Sequence, residues 1–238
     1  MDKNNYKIFA KYYDAIMDNR VSETVKIEKM IKKYNPQAKT ILDLGCGTGT
    51  VLKYFFGRGY DVLGIDKSAS MLKIAQKKLP TKNILCQNMT TFTISRRFDV
   101  VLCLFDSINH ILNFADWKNL FVCVKAHLNP KGVFIFDMNT LNKLNNLTRQ
   151  PTIIKKIDNG KMAMDVFLDN DVYNFEIKIT TKKDDRMLKL KEIVKERSFP
   201  ITLVKQNLEK IFGKVILTNQ NGGTVSEHSR RVFFVCLA

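Results

Sequence analysis

Between residues 40 and 137, short apolar runs alternate with segments of helical periodicity, and this alternation constrains the fold more strongly than any other feature of the sequence. Short apolar runs bounded by turn residues are typical of buried strands, and strands separated by helices pair in parallel. The pattern predicts strands at 40–44, 61–65, 83–87, 98–105 and 132–137, with helices near 49–57, 68–79 and 115–127. It therefore indicates βαβ units with right-handed crossovers and a parallel sheet. An amphipathic helix over 21–34, with Ser22 as its N-cap, is expected before the first strand.

Residues 150–198 follow a two-residue alternation instead, which is the period of a half-buried strand. The predicted inner face holds Tyr173, Phe175, Ile177 and Ile179. Turn residues separate the runs, and Asn159-Gly160 is the strongest hairpin signal among them. This segment is therefore predicted to be an antiparallel meander.

After Pro200 the helical pattern returns over 201–212, and two further strands are predicted at 214–218 and 230–238. The meander thus interrupts an α/β pattern. We expect an α/β domain built from residues 1–149 and 200–238, with an N-terminal helical cap. Residues 150–199 are expected to form an inserted lid or substrate subdomain.

The chain carries 39 basic and 23 acidic residues, a formal net charge of +16. The excess is spread along the sequence and consists mostly of lysine, whereas phosphate and base recognition favours arginine. A solvated basic surface is therefore preferred over a nucleic-acid partner, which stays open. The polar start and the lack of a long apolar run predict a cytoplasmic protein with no membrane partner, a monomer or a homodimer. Five cysteines without ligand spacing predict no metal site.

The segment "TILDLGCGTGT" at 40–50 reads as strand, glycine loop and helix start, with glycines at 45, 47 and 49. Glycines let the backbone turn sharply and approach a ligand closely. Thr50 stands where a dinucleotide fingerprint has its third glycine, so the loop fits a nucleoside better than a dinucleotide. A glycine loop alone is also compatible with a plain tight turn.

Two further strand ends add polar groups to this loop. Asp66 ends the second strand, where a carboxylate can accept both ribose hydroxyls. Asn88 and Met89 follow the third strand and suit an adenine edge, and Ser68 is expected to cap the helix after Asp66. Because the carboxyl ends of parallel strands share one sheet edge, these groups predict a nucleoside site there.

These residues resemble the class I S-adenosylmethionine-dependent methyltransferases. "ILDLGCGTGT" is similar to their first motif, "VLGIDKSASMLKIAQ" to the second, "CQNMTTF" to the adenine motif and "FDVVLCLFDSINHI" to the fourth strand and its loop. "FAKYYDAIM", "FDMNT" and the meander resemble small-molecule members, among them sugar amine N-methyltransferases. The resemblance implies a doubly wound, Rossmann-like α/β fold with a mostly parallel seven-stranded sheet and an inserted antiparallel β meander. It implies methyl transfer from S-adenosyl-L-methionine to a small-molecule acceptor, with an amine favoured and N-, O- and C-methylation all open.

The resemblance also implies a set of cofactor residues. Asp43 and the three glycines Gly45, Gly47 and Gly49 would line the methionine moiety, Asp66 would hold the ribose, and Asn88 would accept from the adenine amino group. Relatives usually have aspartate where this chain has Asn88, and the Met89 backbone N–H would donate to the ring. The remaining implied cofactor residues are Tyr6, Tyr13, Lys67, Met71 and Leu104.

His110 and Tyr13 are the catalytic candidates. An ammonium acceptor must lose a proton before it can attack, and an imidazole suits that step near neutral pH. His110 lies in the loop after the fourth strand, where sugar N-methyltransferases have a similar histidine; a purely structural role for this loop histidine is the alternative. Tyr13 would orient the donor or pack in the core.

Asp106, Ser107 and Asn109 either contact substrate or cap the following helix, and Asp137 and Asn139 either face the substrate or form a polar turn. A charged substrate rim and surface ion pairs are the alternatives for a further group, and surface ion pairs are favoured: Glu196, Arg197, Arg230 and Arg231.

Two rival functions stay open at this stage. An RNA methyltransferase would explain the charge, although the sequence shows no appended RNA-binding module and no "NPPY"-type motif after the fourth strand. A non-catalytic S-adenosylmethionine-binding protein would keep the glycine loop and Asp66 but not an acceptor pocket.

Overall fold

The computed structural model describes residues 9–17, 20–79, 83–157, 159–183 and 186–238. The helices in these ranges are α1 (Tyr13–Met17), α2 (Val21–Tyr34), α3 (Thr50–Phe56), α4 (Ala69–Lys78), α5 (Phe114–Ala126), α6 (Leu141–Thr148) and α7 (Ile201–Glu209), with 3₁₀ turns at Phe9–Lys11 and Ser107–His110. The strands are β1 (Thr40–Leu44), β2 (Asp61–Asp66), β3 (Ile84–Cys86), β4 (Phe98–Cys103), β5 (Leu128–Asn139), β6 (Ile153–Ile157), β7 (Gly160–Asp169), β8 (Val172–Lys183), β9 (Arg186–Glu196), β10 (Lys214–Asn219) and β11 (Arg231–Leu237).

Seven of the strands form one sheet in the order β10-β11-β5-β4-β1-β2-β3. Strands β1 to β5 pair in parallel, and β11 runs antiparallel to both of its neighbours. This confirms the predicted doubly wound, mostly parallel seven-stranded sheet. The strand order reverses between β1 and β4, and the crevice outside the carboxyl ends of the strands at such a point is where ligands bind in this kind of sheet.

The core lies on both faces of this sheet, as strand β5 illustrates. Phe134 and Phe136 pack on the side of α5 and α7, whereas Val133 and Ile135 pack on the side of α2, α3 and α4. Because successive residues of a strand point to opposite faces, a strand covered by helices on both sides is apolar throughout. The ring of Phe136 stacks on Phe234 of β11, with centroids 4.6 Å apart, and so fixes the antiparallel strand to the parallel set.

The remaining four strands form a separate antiparallel sheet in the order β6-β7-β8-β9, called here the inserted sheet. The predicted meander is confirmed. Its inner face carries Tyr173, Phe175, Ile177 and Ile179, which are all buried and pack with Ile16 of α1 and Leu144 of α6. The inserted sheet is therefore held by apolar contacts with an N-terminal helix and with the helix that leads into it.

Two local expectations were wrong. Helix α2 begins at Val21, so Arg20 rather than Ser22 occupies the cap position, and the Thr24 hydroxyl donates to the Arg20 carbonyl. Gly160 pairs with Ile157 and thus belongs to β7 rather than to the turn. Glycine is needed there because a Cβ would come within 1.9 Å of the Thr180 carbonyl oxygen of β8.

Helix α6 was not predicted at all. Its sequence, "LNKLNNLT", contains residues with weak helix propensity, and its only helical signal is leucine at every third position. The Thr140 side chain caps it by accepting from the Lys143 N–H, and Leu144 is fully buried. A cap and one buried face therefore outweigh poor propensity.

In the ranges that the structure describes, no helix is both long enough and apolar enough to span a membrane.

Candidate active site

The glycine loop and Asp66 are hydrogen-bonded to each other at the carboxyl edge of the sheet. Asp66 Oδ2 accepts from the Gly47 N–H at 2.9 Å, and Oδ1 accepts from the Ser68 N–H at 2.7 Å. Ser68 also caps α4, as predicted, by accepting from the Met71 N–H. A carboxylate has about four acceptor positions, so both oxygens of Asp66 can still accept from a ligand.

All three loop glycines have positive φ, but the space around a Cβ atom would differ between them. A Cβ on Gly47 would meet nothing within 4 Å, so this backbone faces open space. A Cβ on Gly45 would press on Ser107, and one on Gly49 would come within 2.9 Å of Ala75 of α4. Gly49 does not line either cavity described below, so helix packing and not ligand contact accounts for this residue.

A cavity of about 340 Å³ lies in the crevice and extends to the inserted sheet. Its lining brings together most of the predicted site residues: Tyr13, Gly45, Gly47, Asp66, Lys67, Met71, Asn88, Met89 and His110. A smaller cavity shares Gly45, Gly47 and Tyr13 with the first and is also lined by Asp43 and Leu104. Tyr6 lies outside the described residues. The opposite wall of the larger cavity consists of side chains of the inserted sheet, Met164, Phe175, Ile177, Val194 and Glu196.

Asn88 is oriented differently from the expectation. Its Oδ1 atom accepts from the Thr90 backbone N–H at 3.0 Å and from the Thr90 hydroxyl at 3.1 Å. Two donors at one atom fix the amide, so the oxygen serves the local turn and the NH₂ group is the donor side. The expected acceptance from an adenine amino group by this oxygen is not what the structure presents.

Two carboxyl groups at this edge have raised pKa values. Burial, and secondarily the charge of Asp66, raises the pKa of Asp43 to about 8. Burial also raises the pKa of Asp66, although the N–H donors of Ser68 and Gly47 oppose the shift. A cationic ligand group next to Asp43 would be stabilised by the carboxylate form.

The loop after β4 makes a strained turn. Phe105 and Asp106 both have positive φ, at 58° and 57°, which is uncommon for residues other than glycine. The Asp137 carboxylate at the end of β5 accepts from both of their N–H groups, at 2.6 Å and 3.1 Å. Strain of this kind is typical of functional sites, and here it turns the chain that carries Ser107 and His110 toward the cavity.

His110 is tied to the inserted sheet. Its Nδ1 atom lies 3.0 Å from the Lys195 carbonyl oxygen of β9. Burial lowers the pKa of His110, while the hydrogen bond to Lys195 and the charge of Asp106 oppose the shift. The ring is therefore neutral at pH 7 and able to take up a proton. His127, by contrast, bonds the Cys123 carbonyl and the Ile94 N–H, which is a structural role.

Five charged side chains form what we call the charge cluster: Asp106, Asp137, Lys143, Glu196 and Arg231. Arg231 forms ion pairs with both Asp106 and Asp137, and the second of these pairs has a distance of 2.9 Å. The Asn139 amide connects Lys143 with Glu196. Its Oδ1 accepts from Lys143 Nζ at 2.6 Å, and its Nδ2 donates to Glu196 Oε2 at 2.9 Å.

Surface ion pairs were predicted for Glu196, Arg197, Arg230 and Arg231, and for Glu196 and Arg231 that interpretation was wrong. Glu196 is 5% exposed, and both residues line the cavity. Arg197 does pair with the exposed Asp171, at 3.1 Å. Lys143 was missed because it lies on the unpredicted helix α6. Asn109 is a structural tie, since its amide bonds the backbone of Asn139 and Arg197.

Asp106, His110 and Glu196 also bring their potential ligand atoms within 4.8 Å of one another, a group that could hold a metal ion. Cysteine spacing could not predict such a group, because its members come from the β4 loop and from the inserted sheet.

The residues at the carboxyl edge fit a nucleoside cofactor with a cationic tail. Asp66 can accept from ribose hydroxyls, Asn88 and Met89 line the same cavity, and Asp43 is a buried carboxyl beside the loop. The backbone at Gly47 leaves room for close approach. The other half of the cavity is lined by His110 and by four members of the charge cluster: Asp106, Lys143, Glu196 and Arg231.

Comparison with known proteins agrees with this geometry. The family described as "Methyltransferase domain" matches residues 41–132. A protein of Geobacillus sp. (strain WCH70), provisionally named as a methyltransferase, is 28% identical over 97% of this chain and 98% of its own length. The dTDP-3-amino-3,6-dideoxy-alpha-D-glucopyranose N,N-dimethyltransferase of Streptomyces fradiae is 30% identical over 54% of this chain and 52% of its own length. The match to this dimethyltransferase thus covers about half of each protein.

Solved structures agree in fold. An S-adenosylmethionine-dependent methyltransferase from Clostridium acetobutylicum superposes with a TM-score of 0.86 over 98% of both chains at 23% identity. The sugar N-methyltransferase KedS8 from Streptoalloteichus sp. superposes with a TM-score of 0.81 over 97% of this chain and 92% of its own, at 20% identity. Residues 41–132 therefore match the methyltransferase-domain family, and the whole chain shares the fold of the S-adenosylmethionine-dependent methyltransferase from Clostridium acetobutylicum.

Proposed function

We propose that the chain is an S-adenosylmethionine-dependent methyltransferase whose methyl acceptor is a small-molecule amine, bound in the cavity between the loop after β4 and the inserted sheet. The observation that carries the proposal is the continuity of this cavity, which runs from Asp66 and Gly47 to His110 and Glu196. Its volume of about 340 Å³ lies in the usual range of small-molecule sites. Cofactor and acceptor would therefore meet in one pocket closed by the inserted sheet.

The cofactor half of the pocket follows from the residues at the sheet edge. Asp66 would hold the ribose, Lys67 and Met71 would flank it, and Asn88 with Met89 would contact the adenine. Asp43, Gly45, Gly47 and Leu104 would line the methionine moiety, and Tyr13 of α1 would cover it. Burial raises the pKa of Tyr13, so its phenol stays neutral and can donate a hydrogen bond.

His110 would act as the proton acceptor. When bound, the cofactor supplies a methyl group activated by its sulfonium, so the protein mainly contributes proximity and orientation. An acceptor that arrives as an ammonium ion has no lone pair to attack with. A neutral imidazole held by Lys195 through Nδ1 can take the ammonium proton at Nε2.

Two observations favour nitrogen over oxygen as the acceptor atom. The pocket contains carboxyl groups, which attract a cation, and a base that is neutral at pH 7. Several relatives are also named for N,N-dimethylation of dTDP-amino sugars. An amino sugar is therefore the first acceptor to test.

The test is a screen with labelled S-adenosylmethionine against amino sugars, amino acids and small amines, with total RNA as a competing acceptor. We expect label in one class of small amine. Label only in RNA would support the rival function. Binding of the cofactor with no transfer to any acceptor would indicate a non-catalytic binding protein.

A further inference from the structure

Glu196 is a buried carboxyl group at the cavity wall to which the proposed function gives no role. It is the last residue of β9, it is 5% exposed, and it lines the cavity on the side opposite the glycine loop. A buried carboxyl group normally lies beside a cation or ligand that compensates for lost solvation. The charges of its neighbours therefore decide whether a compensating cation is already present in the structure.

The charge cluster contains three carboxyl groups and two cations. Arg231 is engaged by Asp106 and Asp137, while Lys143 donates to the Asn139 amide oxygen. Glu196 accepts from the other side of that same amide at 2.9 Å. With all five groups ionised, the three carboxylates and two cations leave the cluster with one net negative charge. The neutral His110 ring beside the cluster does not change this charge.

The pKa shifts of Asp106 and Glu196 have opposite directions. Burial works against ionisation of Asp106, but the charges of Arg231 and Lys143 hold its pKa below the usual range. Burial, followed by the charge of Asp106, raises the pKa of Glu196 to about 8.

Burial also raises the pKa of Asp137, but Asp137 is paired with Arg231 and with two backbone N–H groups and does not line the cavity. Glu196 lines the cavity and accepts from the neutral Asn139 amide, so it is the carboxyl group that a cation entering the cavity would reach.

The missing cation would lie next to His110. Ligand atoms of Glu196, His110 and Asp106 are all within 4.8 Å of one another. A single nitrogen in the cavity can thus reach the Glu196 carboxylate and the His110 ring together. One positive charge balances the cluster, whereas a divalent metal ion would overcompensate it with Arg231 and Lys143 already present.

We propose that Glu196 binds the ammonium group of the methyl acceptor and makes the pocket selective for cationic amines over the corresponding alcohols. This inference rests on the proposed function, since it places the acceptor in the same pocket. It adds a specificity-determining residue from the inserted sheet. A neutral hydroxyl would gain little from this carboxyl group, whereas an ammonium ion would gain a charge-assisted hydrogen bond.

The experiment measures binding without turnover. Protein loaded with S-adenosylhomocysteine is titrated with glucosamine, 3-amino-3-deoxyglucose and small primary alkylamines, each paired with its hydroxyl counterpart. We expect at least one amine to bind at least tenfold more tightly than its alcohol. Glu196→Gln should remove that preference and leave cofactor affinity within a few-fold. In a separate turnover assay it should raise the acceptor KM about tenfold or more, a larger change than in kcat.

Two variants control for folding and for surface charge. Glu196→Asp keeps the charge and should restore part of the preference if the carboxylate binds the amine. Glu176→Gln makes the same change on the outer side of the inserted sheet, where Glu176 pairs with Lys178 and Lys191. It should behave as wild type. If Glu196→Gln fails to fold, the amine-to-alcohol preference of the wild-type protein decides, and equal binding of the two members of every pair overturns the inference.

Several results would overturn the inference. These are binding of no amine at all, an equal loss of amine and alcohol binding in Glu196→Gln, or activity that a chelator abolishes and a divalent metal restores. Amine-selective binding without methyl transfer would uphold Glu196 and overturn the proposed function. Transfer to amines that does not depend on Glu196 would do the reverse.

Discussion

His110 Nδ1 lies 3.0 Å from the backbone carbonyl oxygen of Lys195, so the loop after β4 is hydrogen-bonded to the last strand of the inserted sheet. A carbonyl can only accept, so Nδ1 carries the proton and the neutral ring keeps its lone pair on Nε2. Lys195 immediately precedes Glu196. One short segment of β9 therefore fixes the tautomer of the proposed base and also places the carboxyl group beside it.

We expect His110→Ala to lower turnover by about 10²-fold or more, the range for loss of a general base, with cofactor affinity within a few-fold. His228→Ala, at an exposed histidine, is the matched control. Because burial lowers the pKa of His110, wild-type kcat/KM should stay flat down to about pH 6.5 and fall only below it. Full activity of His110→Ala between pH 6 and 8 would make the histidine structural.

Asp66→Ala should weaken both S-adenosylmethionine and S-adenosylhomocysteine by about 10- to 100-fold in calorimetric titration. The change removes a ribose acceptor and also frees the Gly47 N–H, which Asp66 now holds at 2.9 Å. Asp61→Asn, at the exposed start of the same strand, is the control. Unchanged affinity in Asp66→Ala would place the cofactor elsewhere.

Asn88→Asp should tighten cofactor binding by about two- to tenfold, the range for one net hydrogen bond. A carboxylate can accept from Thr90 with one oxygen, as Asn88 does now, and from the adenine amino group with the other. Asn88→Ala is the comparison, because it loses both the turn and the ligand contact. Weaker binding in Asn88→Asp than in wild type would show that the amide NH₂ is the group that contacts the adenine.

Asp43 predicts a pH-dependent stability of the cofactor-free protein. Its pKa is raised to about 8 from the usual 3.8, so the folded state holds a proton that the unfolded state releases. Stability should therefore be full near pH 4 and fall as the pH rises to 8. Asp43→Asn should flatten this fall, and Tm at pH 8 should increase by roughly 2–4 °C for each kcal/mol recovered. An unchanged pH profile of Tm would contradict the raised pKa.

The central part of the main sheet was predictable because its strands have apolar cores and because helices separate β1 from β2, β2 from β3 and β4 from β5. Strand β1 and helix α2 have the predicted bounds, and Ser68 caps α4 as expected. The glycine loop, Asp66 and Asn88 lie within single strand–loop–helix units, so their meeting at one edge follows from parallel pairing. Local sequence was enough for these parts.

The acceptor half of the pocket could not be predicted in the same way. Glu196 and Arg231 look like surface residues in sequence, and only the packing of the inserted sheet against the β4 loop buries them. Lys143 lies on α6, whose weak helix formers, three asparagines among eight residues, made the helix unrecognisable from sequence despite the regular spacing of its leucines. The contact between Gly49 and Ala75, and the turn of the Asn88 amide toward Thr90, depend on atomic positions that residue types alone do not specify.

A crystal structure of the protein with S-adenosylhomocysteine and the amine acceptor found by screening tests the account most directly. It should show the ribose hydroxyls on Asp66 and the amine nitrogen within about 3.2 Å of both the Glu196 carboxylate and His110 Nε2. An acceptor bound outside the cavity, or with its amine turned away from both residues, would contradict the account.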